Sequence, residues 1–186
     1  MTQPPFDMPT AVNVGVIVCR KKIDNPWQEY RWSLLAVVPG MAPLPDDCKS
    51  GRLLKDDGDE QHFHIGNTDI HLYAKETAGY KVNLDGPVPV VYVVLGPGEE
   101  KDDPDVVPFL ATICPYEAES YTESGEDIVE GVAMPRDILD WVERFMAVHH
   151  VEEVFVKRKQ KKAYDPRKQG LSAGRGPDRR IAKERG

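Results

Sequence analysis

Histidine is the side chain here best suited to chemistry near neutral pH, and three of the five histidines fall between positions 62 and 71. Gln61-His62-Phe63-His64-Ile65, then Gly66-Asn67, then Thr68-Asp69-Ile70-His71-Leu72-Tyr73 reads as a β-hairpin. A two-residue loop with glycine first suits a type II′ turn. That loop sets the register, with Phe63 opposite Ile70 and His62 opposite His71. Side chains alternate along a strand, so Phe63, Ile65, Ile70 and Leu72 share a core-facing side. His62, His64, Asp69 and His71 share the other. Three imidazoles and one carboxylate on one sheet face can supply ligands to a first-row metal ion. Histidines on the open face of a hairpin are also commonly plain solvated residues.

A second cluster, His149-His150-Val151-Glu152-Glu153, lacks the histidine pair at i, i+4 with adjacent glutamate that marks a metalloprotease helix. Its histidines suit the last turn of a helix, where the dipole and free carbonyls favour them. Beyond it the chain turns basic, with Lys157, Arg158, Lys159, Lys161 and Lys162 followed by Arg167-Lys168. Residues 157–186 carry 12 of the 24 Lys and Arg and 3 of the 31 Asp and Glu, a net charge of +9, which leaves −16 on residues 1–156. Such an acidic body repels a polyanion, so nucleic acid is an unfavourable partner and an acidic protein surface a better one. Gly-x-Ser-x-Gly, the Walker loop and Gly-x-Gly-x-x-Gly are all missing. Asp102-Asp103 and Glu152-Glu153 are sequence neighbours whose side chains diverge. This pattern points away from an enzyme, and no cofactor is expected.

The elements that must hold these residues follow from periodicity. Asn13 to Cys19 is a β-branched run of strand length, Asp24-Asn25-Pro26 is a turn, and Tyr30 to Val38 is a second strand antiparallel to the first. Glu76 to Asn83 makes two helical turns. Val88 to Leu95 is the most apolar strand and is expected to be central, with further strands over Phe109 to Cys114 and Asp127 to Ala133. A short helix over Tyr116 to Thr122 separates those last two. Glu76-Thr-x-x-Tyr80-x-x-Asn83 and Glu117-Ala-x-x-Tyr121-x-x-Ser124 hint at two strand–helix–strand units. Pro135 opens a longer helix, with Ile138, Trp141, Val142 and Phe145 in one apolar stripe and Asp140–Arg144 paired outside. The composition leaves 157–186 without enough apolar surface for order. The organisation expected is a flexible N-terminus over 1–11, a globular domain over 12–156 and a basic disordered tail. Cys19, Cys48 and Cys114 form no Cys-x-x-Cys pair, and no segment is long and apolar enough to span a bilayer, so a cytoplasmic protein is expected.

Several motifs in order carry a resemblance: Asp24-Asn25-Pro26-Trp27, Glu76-Thr77, Val91-Tyr92-Val93-Val94-Leu95, Pro115-Tyr116-Glu117-Ala118, Met134-Pro135, and His149-His150-Val151-Glu152. Over roughly residues 12–168 the chain resembles an uncharacterised proteobacterial family, a domain of unknown function numbered 3305. Its members are encoded beside molybdenum-dependent formate dehydrogenases and their maturation proteins. The resemblance implies a non-enzymatic accessory or maturation protein that binds a dehydrogenase subunit or a maturation factor. Under that reading the basic residues from Lys157 to Lys162, with Glu76, Tyr80, Glu117 and Tyr121, are the partner-binding candidates. The alternative is an enzyme or binding protein of molybdopterin-guanine dinucleotide metabolism, a label some members carry. The guanylyltransferase it evokes has a glycine-rich loop with a Ser-x-Arg-Met pattern, which this sequence lacks. The fold expected is α+β, a mostly antiparallel, curled or barrel-like sheet of about six or seven strands with a C-terminal helix packed on it.

Overall fold

A computed structural model describes residues 8–45, 48, 50–98, 104–123, 125 and 127–151. Its strands are β1 (Ala11–Lys22), β2 (Tyr30–Pro39), β3 (Arg52–Asp56), β4 (Glu60–His71), β5 (Val90–Pro97), β6 (Val106–Thr112) and β7 (Ile128–Ala133). The helices are α1 (Thr77–Leu84), α2 (Pro115–Thr122) and α3 (Arg136–His149), with a short 3₁₀ turn over Ala74–Glu76 before α1. The strands form one sheet in the order β2-β1-β4-β6-β5-β7, with β3 paired to β4 beside that path. The two ends of the path approach each other, where the Leu34 N–H of β2 donates to the Glu130 carboxylate of β7. A nearly closed, barrel-like α+β fold results.

The sheet is mixed, a departure from the expected mostly antiparallel one. β4 runs parallel to β6, with Ile70 opposite Ala111. That contact joins β1, β2, β3 and β4 to the β5–β7 group. It is a long-range pairing that no local pattern in the sequence encodes.

The expected hairpin over 61–73 is replaced by one continuous strand, β4. Gly66 does not turn the chain back. It sits at φ 144° beside a register shift against β1, where Val16 faces Gly66 and Ile17 faces His64. Ile65 is thus the extra residue of a β-bulge. The positive φ explains the glycine, and the bulge bends β4 as the curved sheet requires. β1 occupies one edge of β4 along its length, while β3 and β6 divide the other.

Val14, Val16 and Val18 of β1 are buried in the core with Ile70, Val91, Val93 and Leu95. At one end Arg20 lies over the rings of Tyr30, Trp32 and Phe63, 4.6, 5.6 and 4.9 Å from their centroids. Its guanidinium donates to Gln61 Oε1. α3 contributes Ile138, Trp141, Val142 and Phe145 to the same core. Its neighbour among the helices is α1, through the edge contact of Tyr80 with Phe145. Asp140 pairs with Arg136 rather than with Arg144, whose Nε donates to the Asp140 carbonyl.

The two strand–helix–strand runs exist as β4–α1–β5 and β6–α2–β7, but they are not equivalent. In the second, β6 and β7 both flank β5 antiparallel. In the first, β4 and β5 are separated by β6. Within the expected N-terminal segment, Pro9 and Thr10 each give a carbonyl to the domain, accepting from Trp141 Nε1 and Leu72 N. The expected basic tail lies outside the described residues.

Candidate functional site

Because β4 continues through Gly66 as one strand, its histidines acquire different partners from those a hairpin would give them. His62 lies opposite Cys19 of β1, and Cys19 lies opposite Ser33 of β2. On the other edge His62 lies opposite Lys55 of β3. Directly opposed residues point to the same side of a sheet, so Ser33, Cys19, His62 and Lys55 make one row across four strands. Glu60, two residues before His62, shares that face.

One ligand atom each from Cys19, Glu60 and His62 lies within 4.8 Å of the others. His62 Nε2 and Glu60 Oε1 are 3.1 Å apart. Cys19 is only 8% exposed, whereas the side chains of His62 and Glu60 are 19% and 44% exposed. The site is therefore a buried sulfur under a half-open lip of nitrogen and oxygen. Burial raises the Cys19 thiol above its ordinary value, and the Glu60 carboxylate raises it further. A hydrogen bond to Ser33 and the charge of Lys21 act the other way, more weakly. A thiol held protonated is a poor nucleophile. A Cys–His–Glu catalytic reading thus finds no support in the electrostatics, whereas a cation would reverse the sign of the Glu60 effect.

The four residues His62, His64, Asp69 and His71 are not gathered into one cluster. His64 is buried, with Nε2 3.1 Å from the Gly66 carbonyl oxygen and 2.9 Å from Asn67 Oδ1. Asn67 in turn donates to Asn13 Oδ1 and to the Met41 carbonyl, so His64 belongs to a structural network. Asp69 accepts from Asn13 Nδ2, and His71 stacks on Tyr73. Among the described residues, His62 is the one of the four that joins a group of three metal-competent side chains. Cys19 and Glu60 carried no signal in the hairpin reading, because the β1–β4 register makes the cluster.

The helix residues proposed for a binding surface divide in a similar way. Tyr80 is fully buried, its hydroxyl accepting from Tyr73 N at 3.0 Å and donating to Glu76 Oε2 at 3.2 Å. It is scaffolding, and Glu76 is its partner. Burial pushes the Tyr80 phenol well above its ordinary value of 10.0. A raised phenol value means that the protonated form favours the fold. The stabilisation is complete below pH ~10 and declines as pH rises beyond that, where the unfolded phenol ionises first. Alkaline titration followed by phenolate absorbance should therefore show one tyrosine ionising only with unfolding, an event absent in Tyr80→Phe. Tyr121 packs edge-on against the exposed Phe109, and Glu117 is partly buried on α2. Lys157, Arg158, Lys159, Lys161 and Lys162 lie outside the described residues.

One exposed feature stands out by size. Trp27 is 93% exposed in the connection between β1 and β2. Its backbone N–H donates to Asn25 Oδ1 at 2.9 Å, and Ile23 N donates to the Glu29 carbonyl at 3.0 Å. The Asp24-Asn25-Pro26-Trp27 turn is thereby closed on itself, with the indole presented outward. Among the described residues, no helix is long and apolar enough to cross a membrane. No curated protein and no solved structure matches the chain. Residues 13–159, which take in the barrel, all three helices, the Trp27 turn and the Cys19–Glu60–His62 cluster, match the family described as Protein of unknown function (DUF3305), and the chain belongs to that family.

Proposed function

We propose that this protein is a cytoplasmic, non-enzymatic accessory factor that binds a molybdenum-dependent formate dehydrogenase subunit, or one of its maturation factors, before assembly. Encoding of the family beside formate dehydrogenase genes, which the resemblance implies, supplies the partner. The observation that carries the binding mode is Trp27, 93% exposed on a turn fixed by its own hydrogen bonds. A bare indole is costly in water and adds nothing to this core. Tryptophan is among the residues most often central to a protein–protein contact. The turn is ordered by Asn25 in advance, so less conformational freedom is lost on docking.

A pull-down with the tagged full chain from cells making formate dehydrogenase tests this. The wild type is expected to recover a dehydrogenase subunit or maturation factor. Trp27→Ala should recover at least about tenfold less, a loss within the range for a central aromatic contact. The same substitution should change stability by less than ~0.5 kcal/mol, as for a surface site without contacts. Recovery of neither protein by the wild type sinks the reading. The rival, a binder of molybdopterin-guanine dinucleotide, is separated by calorimetry, in which tight nucleotide binding by the purified chain would favour it.

A further inference from the structure

We propose that Cys19, Glu60 and His62 form a binding site for one Zn²⁺ ion per chain, with water completing the coordination. The site clips β1 to β4 on the outer face of the barrel. The donor set selects the metal. A thiolate and an imidazole exclude the hard cations Ca²⁺ and Mg²⁺, which take oxygen ligands. Sulfur, nitrogen and carboxylate oxygen together suit zinc, which binds them at roughly 2.3, 2.0 and 2.1 Å.

Bonds of those lengths in a tetrahedron place the ligand atoms roughly 3.3–3.7 Å from one another. The three atoms already lie within 4.8 Å of one another, and His62 Nε2 and Glu60 Oε1 are 3.1 Å apart. Side-chain adjustments of about 1 Å close the set, with no movement of the strands required. The backbone register supplies this proximity. Cys19 and His62 are direct cross-strand partners, and Glu60 follows on the same face of β4. Ser33 bonds the Cys19 sulfur from the side away from His62 and would hold its orientation. Glu60, the more exposed ligand, gives the ion a way in. With three protein ligands and an open lip, the site keeps a position that water or a partner's side chain can fill.

Around Cys19 stand Lys21 on the same strand, Glu60 and His62 on β4, Lys55 on β3 and Ser33 on β2, with Arg31 of β2 opposite Lys21. Zinc takes the thiolate form of cysteine, so the thiol proton passes to solvent as the ion enters.

Cobalt titration of the reduced, full-length chain tests the site, because Co²⁺ reports a thiolate ligand as a sulfur-to-metal charge-transfer band in the near ultraviolet. The expected result is a band saturating at one equivalent and discharged by Zn²⁺. Cys19→Ala should abolish the band and weaken zinc binding, read by competition with a chromophoric chelator, more than about 100-fold. Cys48→Ala and Cys114→Ala should leave both unchanged. Should Cys19→Ala fold poorly, Glu60→Gln on the half-exposed lip retains the fold and should still weaken zinc binding at least about tenfold. The proposal is overturned if the wild type shows no thiolate band, if the band survives Cys19→Ala, or if Glu60→Gln binds zinc as the wild type does.

Discussion

Replacing Asn83 with alanine is expected to destabilise the domain by about 3–5 kcal/mol, the range for breaking a buried hydrogen-bond network. Asn83 Nδ2 donates to the Val90 carbonyl at 2.7 Å and to the Ile113 carbonyl at 2.8 Å, while Oδ1 accepts from Val90 N at 2.9 Å. The reason for this clamp lies in the β5–β6 ladder. That ladder begins at Tyr92 opposite Thr112, so Val90 extends beyond it. Its N–H and C=O would be left unpaired on that edge, and the Asn83 amide takes the place of a strand. One side chain thus fixes α1 to the start of β5 and the end of β6. Alanine removes three bonds and leaves the three backbone groups without partners. For a chain of this size the midpoint of thermal unfolding should fall by roughly 10 °C. Asn83→Asp should not rescue it, because a carboxylate cannot donate to two carbonyls. A melting curve for Asn83→Ala within ~2 °C of the wild type would show that the clamp does not carry this load.

Trp141→Ala is expected to cost a further large amount, about 3–5 kcal/mol, as for other buried aromatic truncations. Trp141 is buried in the core with Ile138, Val142 and Phe145, and its Nε1 donates to the Pro9 carbonyl at 2.7 Å. It therefore ties the chain before β1 to α3. Trp141→Phe separates the two contributions. It keeps most of the apolar contact but loses the bond, and should cost about 1–2 kcal/mol. Urea unfolding followed by far-ultraviolet dichroism measures both. Equal losses for Phe and Ala would mean that the hydrogen bond, not the packing, holds the helix.

Short-range pattern in the sequence carries some of this structure, and longer-range contact carries the rest. β1, β2, β5 and the three helices announce themselves through β-branched runs, apolar stripes and well-placed proline. β3 does not, because Leu53 and Leu54 are adjacent and every residue of Arg52–Asp56 is exposed. A strand without an alternating buried face leaves no periodicity to read. Gly66-Asn67 offers turn chemistry, yet the same positive-φ glycine also serves a bulge, and tertiary pairing with β1 decides between them. The site inherits that error. His62 is legible as a candidate ligand, but its real neighbours Cys19 and Glu60 depend on which strand lies beside it. His64, Asp69 and His71 look equivalent to His62 in the sequence, and are distinguished by the Gly66 carbonyl, asparagine and tyrosine contacts that occupy them.

Asn83 and Tyr80 show the same principle from the other side. Both stand in the Glu76-Thr-x-x-Tyr80-x-x-Asn83 pattern, and the structure uses both inside the fold. Among the motifs that carry the resemblance, the most exposed aromatic side chain is Trp27. It lies on the connection between β1 and β2, whose antiparallel ladder runs out to Lys22 opposite Tyr30.

The accessory role is tested most directly by deleting the gene in a host that makes a molybdenum-dependent formate dehydrogenase, then measuring dehydrogenase activity and bound molybdenum. The account predicts that both fall, that the wild-type gene restores them, and that a Trp27→Ala gene, though its product accumulates normally, does not. Unchanged activity and molybdenum content in the deletion strain would contradict it.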